Sequence, residues 1–342
     1  MNPTEVISKE ELEKYYCFED VDRVPRDNVT TNFKRRARYQ QALWREKKEF
    51  PIGSQPIQIK EGIDSRPMGC RIELTYAQNG MVNFLTPTIK EAVIDRLNNP
   101  EPKQTLDSDR LYANCLSSMP MCFNLFGSLY GDMKKASEAL KNWWPLSPGT
   151  VSHIRFEWSP GRQIFGRFLE NRSAFDVAFE LDLDSGAKGI IGIETKYHEH
   201  CKKEAVPSEK RLDRYRLISE KSGLFKPNSI NAIIGSELQQ IWQDHILALS
   251  MLQDERSNWD WVKFVLVYPA KNSSFAKAAA EYSNHLKNAD TYEWRTVESL
   301  LSCPVINEED LQRQIYLVDS CIMSFDLMLI WILGFVFITL CL

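Results

Sequence analysis

Two runs of sequence decide the fold: FDVAFEL at residues 175–181 and IIGIETKY at residues 190–197. Apolar and polar residues alternate along the first run, and both runs are rich in strand-forming residues, which predicts two β-strands. The connector Asp184-Ser185-Gly186 suits a three-residue hairpin loop in which Gly186 takes the left-handed conformation. In that register Asp176 faces Glu194, with side-chain roots about 5 Å apart.

Two facing carboxylates repel each other, so the pair needs a compensating positive charge. A divalent cation would supply it, and Mg²⁺ commonly uses one or two protein carboxylates and leaves room for water and phosphate. Lys196 shares the face of Glu194 and is placed to orient an attacking water. An ordinary solvated strand face is the alternative, and a two-residue turn would shift the register so that Asp176 opposes Thr195.

The three residues Asp176, Glu194 and Lys196 resemble the motif of the PD-(D/E)XK nuclease superfamily, with Phe175 where the motif has Pro. A wider likeness, over about residues 30–315, is to a bacterial family of restriction endonuclease-like proteins. It is carried by four segments: RL at 110–111, NCLSSMPMCFNLFG at 114–127, FEWSPGR at 156–162 and GIETKY at 192–197.

This resemblance implies an α/β fold, a restriction-endonuclease-like mixed sheet flanked by helices, with an N-terminal helical or α+β accessory region. It also implies a Mg²⁺ site formed by Asp176, Glu194 and the Thr195 carbonyl, with Lys196 beside it. Glu157 is a candidate third catalytic acid, and an exposed strand-end glutamate is the alternative. Gln240 falls on the following helix, where related nucleases often place a glutamine near the active centre, although a surface glutamine is the plainer interpretation.

The composition and net charge of the chain limit which functions are plausible. The 342 residues are 43% hydrophobic with a net charge of -4, so the chain can bury a full core, and nucleic acid would have to bind at local basic patches. The eight cysteines show no C-x-x-C pair, and no secretory signal opens the chain, which favours reduced thiols in a cytoplasmic protein.

Patterning divides the chain into an N-terminal segment with a basic helix (1–53), an accessory α+β region (54–150), a nuclease-like core (151–315) and a hydrophobic tail (321–342). Helices are expected at 33–48, 110–119, 125–140, 207–222 and 230–253, with Pro120 as a break. Besides the hairpin, strands are expected at 151–158 and 261–268.

Basic residues offer candidate phosphate contacts. In the helix at 33–48, a stripe at helical spacing comprises Lys34, Arg38, Gln41, Arg45 and Lys48. Arg162 and Arg167 lie in the loop that leads to Asp176. A solvated helix face and ordinary loop arginines are the alternatives.

The C-terminal run LMLIWILGFVFITLCL at 327–342 is almost wholly apolar. At ~1.5 Å per residue it is short of the ~30 Å hydrocarbon core, so it is a marginal membrane anchor. The alternatives are a helix in the core or in an oligomer contact, as in a homodimer, and a segment foreign to the family's natural end.

Two hypotheses follow for function. The first is a Mg²⁺-dependent endonuclease of restriction or defence type that acts on DNA, either in the cytoplasm or associated with a membrane through residues 327–342. The second is a catalytically silent protein on the same fold that binds nucleic acid or associates with membranes.

Overall fold

The computed structural model describes residues 6–59, 62–104, 106–303, 305 and 316. Its helices are α1 (Lys9–Lys14), α2 (Glu19–Asp22), α3 (Asn28–Lys47), α4 (Leu74–Gly80), α5 (Pro87–Asn98), α6 (Ser118–Phe126), α7 (Met133–Trp143), α8 (Glu209–Ser222), α9 (Ser229–Ile233), α10 (Gln239–Leu252), α11 (Ser273–Asn284) and α12 (Val297–Leu301). Its strands are β1 (Ile52–Ile59), β2 (Gly62–Ile72), β3 (Thr150–Trp158), β4 (Phe175–Asp182), β5 (Lys188–Thr195), β6 (Trp259–Tyr268) and β7 (Tyr292–Thr296).

Five strands form the central sheet in the order β3-β4-β5-β6-β7. The pairs β3–β4 and β4–β5 are antiparallel, whereas β5–β6 and β6–β7 are parallel. The antiparallel hairpin β1–β2 stands apart from this sheet. The mixed sheet flanked by helices confirms the predicted fold class.

The β4–β5 hairpin has the predicted three-residue loop. The amide of Leu183 donates to the carbonyl of Ala187 at 3.0 Å, and Gly186 has a left-handed φ of +81°. Val177 pairs with Ile193 in the resulting register, so the neighbouring position brings Asp176 opposite Glu194. Loop length therefore sets which acids meet across the hairpin.

Helices cover both faces of the sheet. One face packs Val177, Phe179 and Ile191 against α5, α6 and α7 in a core that also takes in Phe33 of α3. The other face packs Ile190 and Leu266, among others, against α8, α10 and α11. Since both faces are covered, a charged side chain in the middle of a strand is buried unless it lies near an open edge or end.

The predicted helices at 110–119 and 125–140 have wrong boundaries: α6 ends at Phe126, a 3₁₀ turn follows at Gly127–Leu129, and α7 begins only at Met133. Pro120 does not break a helix but lies in the first turn of α6, where its missing N–H is not needed, and the Ser117 hydroxyl caps this helix by accepting from the Met119 amide. A π-helical turn at Asp109–Ala113 precedes α6 in place of the helix expected at 110–119.

The helix expected at 230–253 is in fact two helices, α9 and α10. Gly235 has a φ of +73°, which ends the helical path, and its amide donates to Oε1 of Gln239 at 2.8 Å. Strand β7 and helices α11 and α12 complete the C-terminal side of the core and were not predicted.

Within the described ranges, no helix is both long and apolar enough to cross a bilayer. The apolar run at 327–342, proposed from sequence as an anchor or an oligomer contact, lies outside the described residues. The four-part division of the chain stays a prediction.

Candidate active site

Three acidic residues lie in one row across neighbouring strands. Pairing of Phe156 with Val177 and of Trp158 with Phe175 leaves Glu157 on β3 opposite Asp176 on β4. The β4–β5 register places Glu194 beyond Asp176. Because adjacent strands lie about 4.8 Å apart, three carboxylates are concentrated near one end of the sheet.

Asp176 is anchored through one of its two carboxylate oxygens. Oδ2 accepts from the Thr195 amide at 2.8 Å and from the Thr195 hydroxyl at 2.6 Å. The residues that the structure describes give Oδ1 no hydrogen-bond partner. The strand pairing thus fixes the orientation of this carboxylate and leaves one oxygen available to a ligand.

Glu194 is 9% exposed and is held by two side chains. Its Oε1 accepts from the Lys196 ammonium at 2.6 Å and from the Gln240 amide at 3.3 Å. Lys196 comes two residues later on the same face, and Gln240 reaches in from α10. The sequence-predicted Glu, Lys and Gln are therefore brought together around one carboxylate.

The electrostatics of this row favour a bound cation. Burial, with the nearby charge of Asp176, raises the pKa of Glu194 to about 7. Burial, then Asp176 and Glu194, raises the pKa of Glu157 to about 8, and burial also raises the pKa of Asp176. Burial by itself would lower the pKa of Lys196, but the surrounding carboxylates, Glu194 foremost, raise it overall.

Glu157 has a left-handed φ of +49°, which is uncommon for a residue with a Cβ. Its carbonyl accepts from the guanidinium of Arg162 at 2.7 Å, from Arg96 at 3.2 Å and from the Gln104 amide at 3.3 Å. In the described part of the chain its carboxylate has no hydrogen-bond partner. Three donors thus hold a strained backbone that presents a free acid to the row.

The chemistry of this row fits a divalent metal. Free oxygens remain on Asp176, Glu194 and Glu157, and all three are the hard ligands that Mg²⁺ selects. Among the residues described, no three His, Cys, Asp or Glu side chains already converge in metal-binding geometry. The set that the sequence predicts, two carboxylates and the Thr195 carbonyl, does not require three.

The predicted basic stripe on α3 is not an exposed surface. Arg38 is 5% exposed, and its guanidinium binds Asp22 through two contacts of 2.7 and 2.9 Å and His198 through one of 3.3 Å. Arg45 is equally buried and donates to the carbonyls of Gly69 and Phe50. Lys34 is buried too, which lowers its pKa. Arg38, Gln41 and Arg45 face inward and bond to groups distant in sequence, whereas Lys48 at the end of the stripe is exposed.

The two loop arginines are also engaged within the protein. Arg162 binds Glu101 at 3.1 Å in addition to the Glu157 carbonyl, so it stabilises the backbone that positions Glu157. Arg167 binds Asp254 and, at 2.8 Å, the Ser257 hydroxyl.

Two residues that the sequence analysis did not assign lie near the acids. Asp244, on α10, is buried, and its charge interacts with those of Glu194 and Lys196. Arg110 is exposed on the π-helical turn before α6, and its charge lowers the pKa of Glu157. Asp244 could have been found from the sequence, because it lies one helical turn after Gln240 and therefore on the same face of the helix.

A model of the PD-(D/E)XK nuclease superfamily matches residues 25–316 of the chain. No curated protein and no solved structure matches it. Since the match spans most of the sequence, including all three acids and Lys196, the chain belongs to the PD-(D/E)XK nuclease superfamily. This confirms the family predicted from the motif.

Proposed function

We propose that the protein is a Mg²⁺-dependent endonuclease that hydrolyses phosphodiester bonds of DNA in a restriction or defence role. The observation that carries this proposal is the row of Glu157, Asp176 and Glu194 beside Lys196. The carboxylates of such a row repel one another when ionised, so a bound cation stabilises them in place of protons, and the superfamily acts on nucleic acids. Divalent-metal chemistry is general in this superfamily, and hard carboxylate ligands favour Mg²⁺ within it.

Asp176 and Glu194 would hold the metal, with the Thr195 carbonyl as a further ligand. When bound, the ion supplies charge stabilisation at the phosphate and at the leaving oxygen. The hydrogen bonds from Thr195 fix Asp176 in advance, so its free oxygen needs little reorganisation to serve as a ligand.

Lys196 acts as a hydrogen-bond donor. Its raised pKa keeps it protonated at neutral pH, so it orients an attacking water or a phosphate oxygen and does not remove a proton. Gln240 contacts the same Glu194 oxygen and limits the positions that the lysine can take. Glu157 adds a third carboxylate at the edge of the row.

The test uses the full chain with supercoiled plasmid DNA, in Mg²⁺ and in EDTA. We expect nicking in Mg²⁺ only, loss of nicking in Glu194→Gln, and retained DNA binding by that variant. Glu138→Gln, an exposed acid on α7 away from the row, is the matched control and should cleave normally. Cleavage by Glu194→Gln would refute the site, and cleavage of RNA alone would refute the substrate. An inert wild-type protein that binds DNA would favour the catalytically silent alternative.

A further inference from the structure

Asp244 is a buried acid for which the described residues provide no hydrogen-bond partner at Oδ2. It lies on α10 one turn after Gln240, so both side chains share a face of the helix. The residue is 8% exposed, and within the described ranges its Oδ2 is buried and accepts no hydrogen bond. A buried carboxylate left unbonded is costly, so a group that satisfies it is expected at some stage of function.

Asp244 lines a small cavity of about 110 Å³ together with Lys196 and Gln240. Burial, then the nearby negative charge of Glu194, raises the pKa of Asp244 well above its usual range, and a metal that neutralises Glu194 and Asp176 would remove part of this cause and favour the carboxylate form. Lys196 in turn is influenced by the charges of Glu194, Glu199 and Asp244. The lysine therefore interacts electrostatically with acids on both β5 and α10, and of Glu194 and Asp244 it is Glu194 that binds it among the described residues.

Charge balance changes once a divalent ion is bound. The charges of Asp176 and Glu194 are then offset by the metal, so the buried ammonium of Lys196 loses its compensating anion and is repelled by the ion. Glu199 also faces the cavity, but its carboxylate already accepts from the Tyr197 amide at 2.8 Å. Glu204 and Glu237 line the cavity as well, but of these four acids Asp244 is the most buried, and its Oδ2 accepts no hydrogen bond from the described residues.

We propose that Asp244 is the positioning residue of Lys196, supplying the anion that holds the ammonium group when Glu194 binds the metal. The inference rests on the proposed metal-dependent function and deepens it. Asp244 acts through the lysine and does not bind the metal itself.

A double-mutant cycle on Mn²⁺ affinity, measured by calorimetry on the full chain, tests this. Asp244→Asn should weaken Mn²⁺ binding by roughly 10-fold, as residues that support metal ligands commonly do. In a Lys196→Met background the same change should alter affinity by less than about twofold, because the charge it balances is gone. Glu138→Gln, an exposed acid on α7 that does not line this cavity, is the control and should bind as wild type. Asp244→Ala replaces Asp244→Asn if the latter does not fold.

The outcomes of this experiment distinguish a failure of the proposed function from a failure of the inference about Asp244. Wild-type protein that binds no Mn²⁺ would overturn the proposed function and this inference together. Normal Mn²⁺ binding that Asp244→Asn leaves unchanged would overturn only the inference. Equal weakening in both backgrounds would make Asp244 a direct ligand. A cycle reproduced by Glu199→Gln and not by Asp244→Asn would assign the role to Glu199.

Discussion

The Lys196 ammonium, directly after the end of β5, donates a 2.6 Å hydrogen bond to Oε1 of Glu194, two residues earlier in the chain. Both side chains are about nine-tenths buried, so little water screens the contact. The candidate metal ligand and the candidate water-positioning group are therefore one electrostatic unit. Any change at one of them alters the other.

Metal affinity should rise with pH. The pKa values of Glu194 and Glu157 are raised to about 7 and about 8, so a metal must displace protons from these carboxylates at lower pH. We expect Mn²⁺ affinity to increase on the order of tenfold per displaced proton between pH 6 and pH 8. Calorimetry at three pH values measures this, and an affinity independent of pH would contradict it.

Without metal, stability should fall as pH rises. An acid whose pKa is raised on folding binds more protons in the folded state than in the unfolded state. The free energy of unfolding therefore decreases as the pH rises from about 4.5, the ordinary pKa of a glutamate, through the raised pKa of the folded state. Urea unfolding in EDTA between pH 5 and pH 8 checks the sign. Glu157→Gln should flatten the slope, and stability that grows over this window would refute the acid row.

Arg110 should contact the nucleic-acid backbone. It is exposed, its charge reaches Glu157, and the described residues give it no ion pair. Arg110→Ala should weaken DNA binding and lower the slope of log affinity against log salt by about 1. Lys134→Ala, an exposed cation on α7, is the control. An unchanged slope in Arg110→Ala would exclude the contact.

Arg38 should matter for stability and not for DNA binding. Removing it leaves Asp22 buried with His198 as its one remaining hydrogen-bond partner among the described residues, and breaking such a pair typically costs about 3–5 kcal/mol. Urea denaturation of Arg38→Met measures the loss. Arg216→Met, which breaks an exposed pair with Glu209, should cost no more than about 1 kcal/mol. A stable Arg38→Met with a reduced salt slope would restore the phosphate-binding interpretation of α3.

Gly192 should not tolerate a side chain. A Cβ there would lie 2.4 Å from the ring of Phe175, which is buried and stacks on Trp158. Gly192→Ala should cost about 1–3 kcal/mol and disturb the neighbouring Asp176. Gly189→Ala on the same strand meets its nearest atom at 3.1 Å and should be milder. Thermal unfolding of the two variants compares them, and equal stability would show that Phe175 can move.

The β4–β5 hairpin was predictable from local sequence rules. Loop length and Gly186 determine the β4–β5 register because both act within a few residues. The inward turn of Arg38 was not predictable, since its partners Asp22 and His198 lie 16 and 160 residues away. Basic residues at helical spacing form the same sequence pattern whether they contact solvent or buried acids, so the pattern does not predict which of the two they contact.

The sequence by itself determined the two strands and the face that Glu194 and Lys196 share, because strand alternation acts within a few residues. It allowed a three-residue or a two-residue turn, and the structure shows the three-residue loop that brings Asp176 opposite Glu194. Only the tertiary structure decided that Glu157 joins the row and that Asp244 stands beside the lysine. Those two positions depend on how β3 pairs with β4 and how α10 packs on β5 and β6. Such contacts are fixed by packing between segments far apart in the chain, for which no local pattern exists.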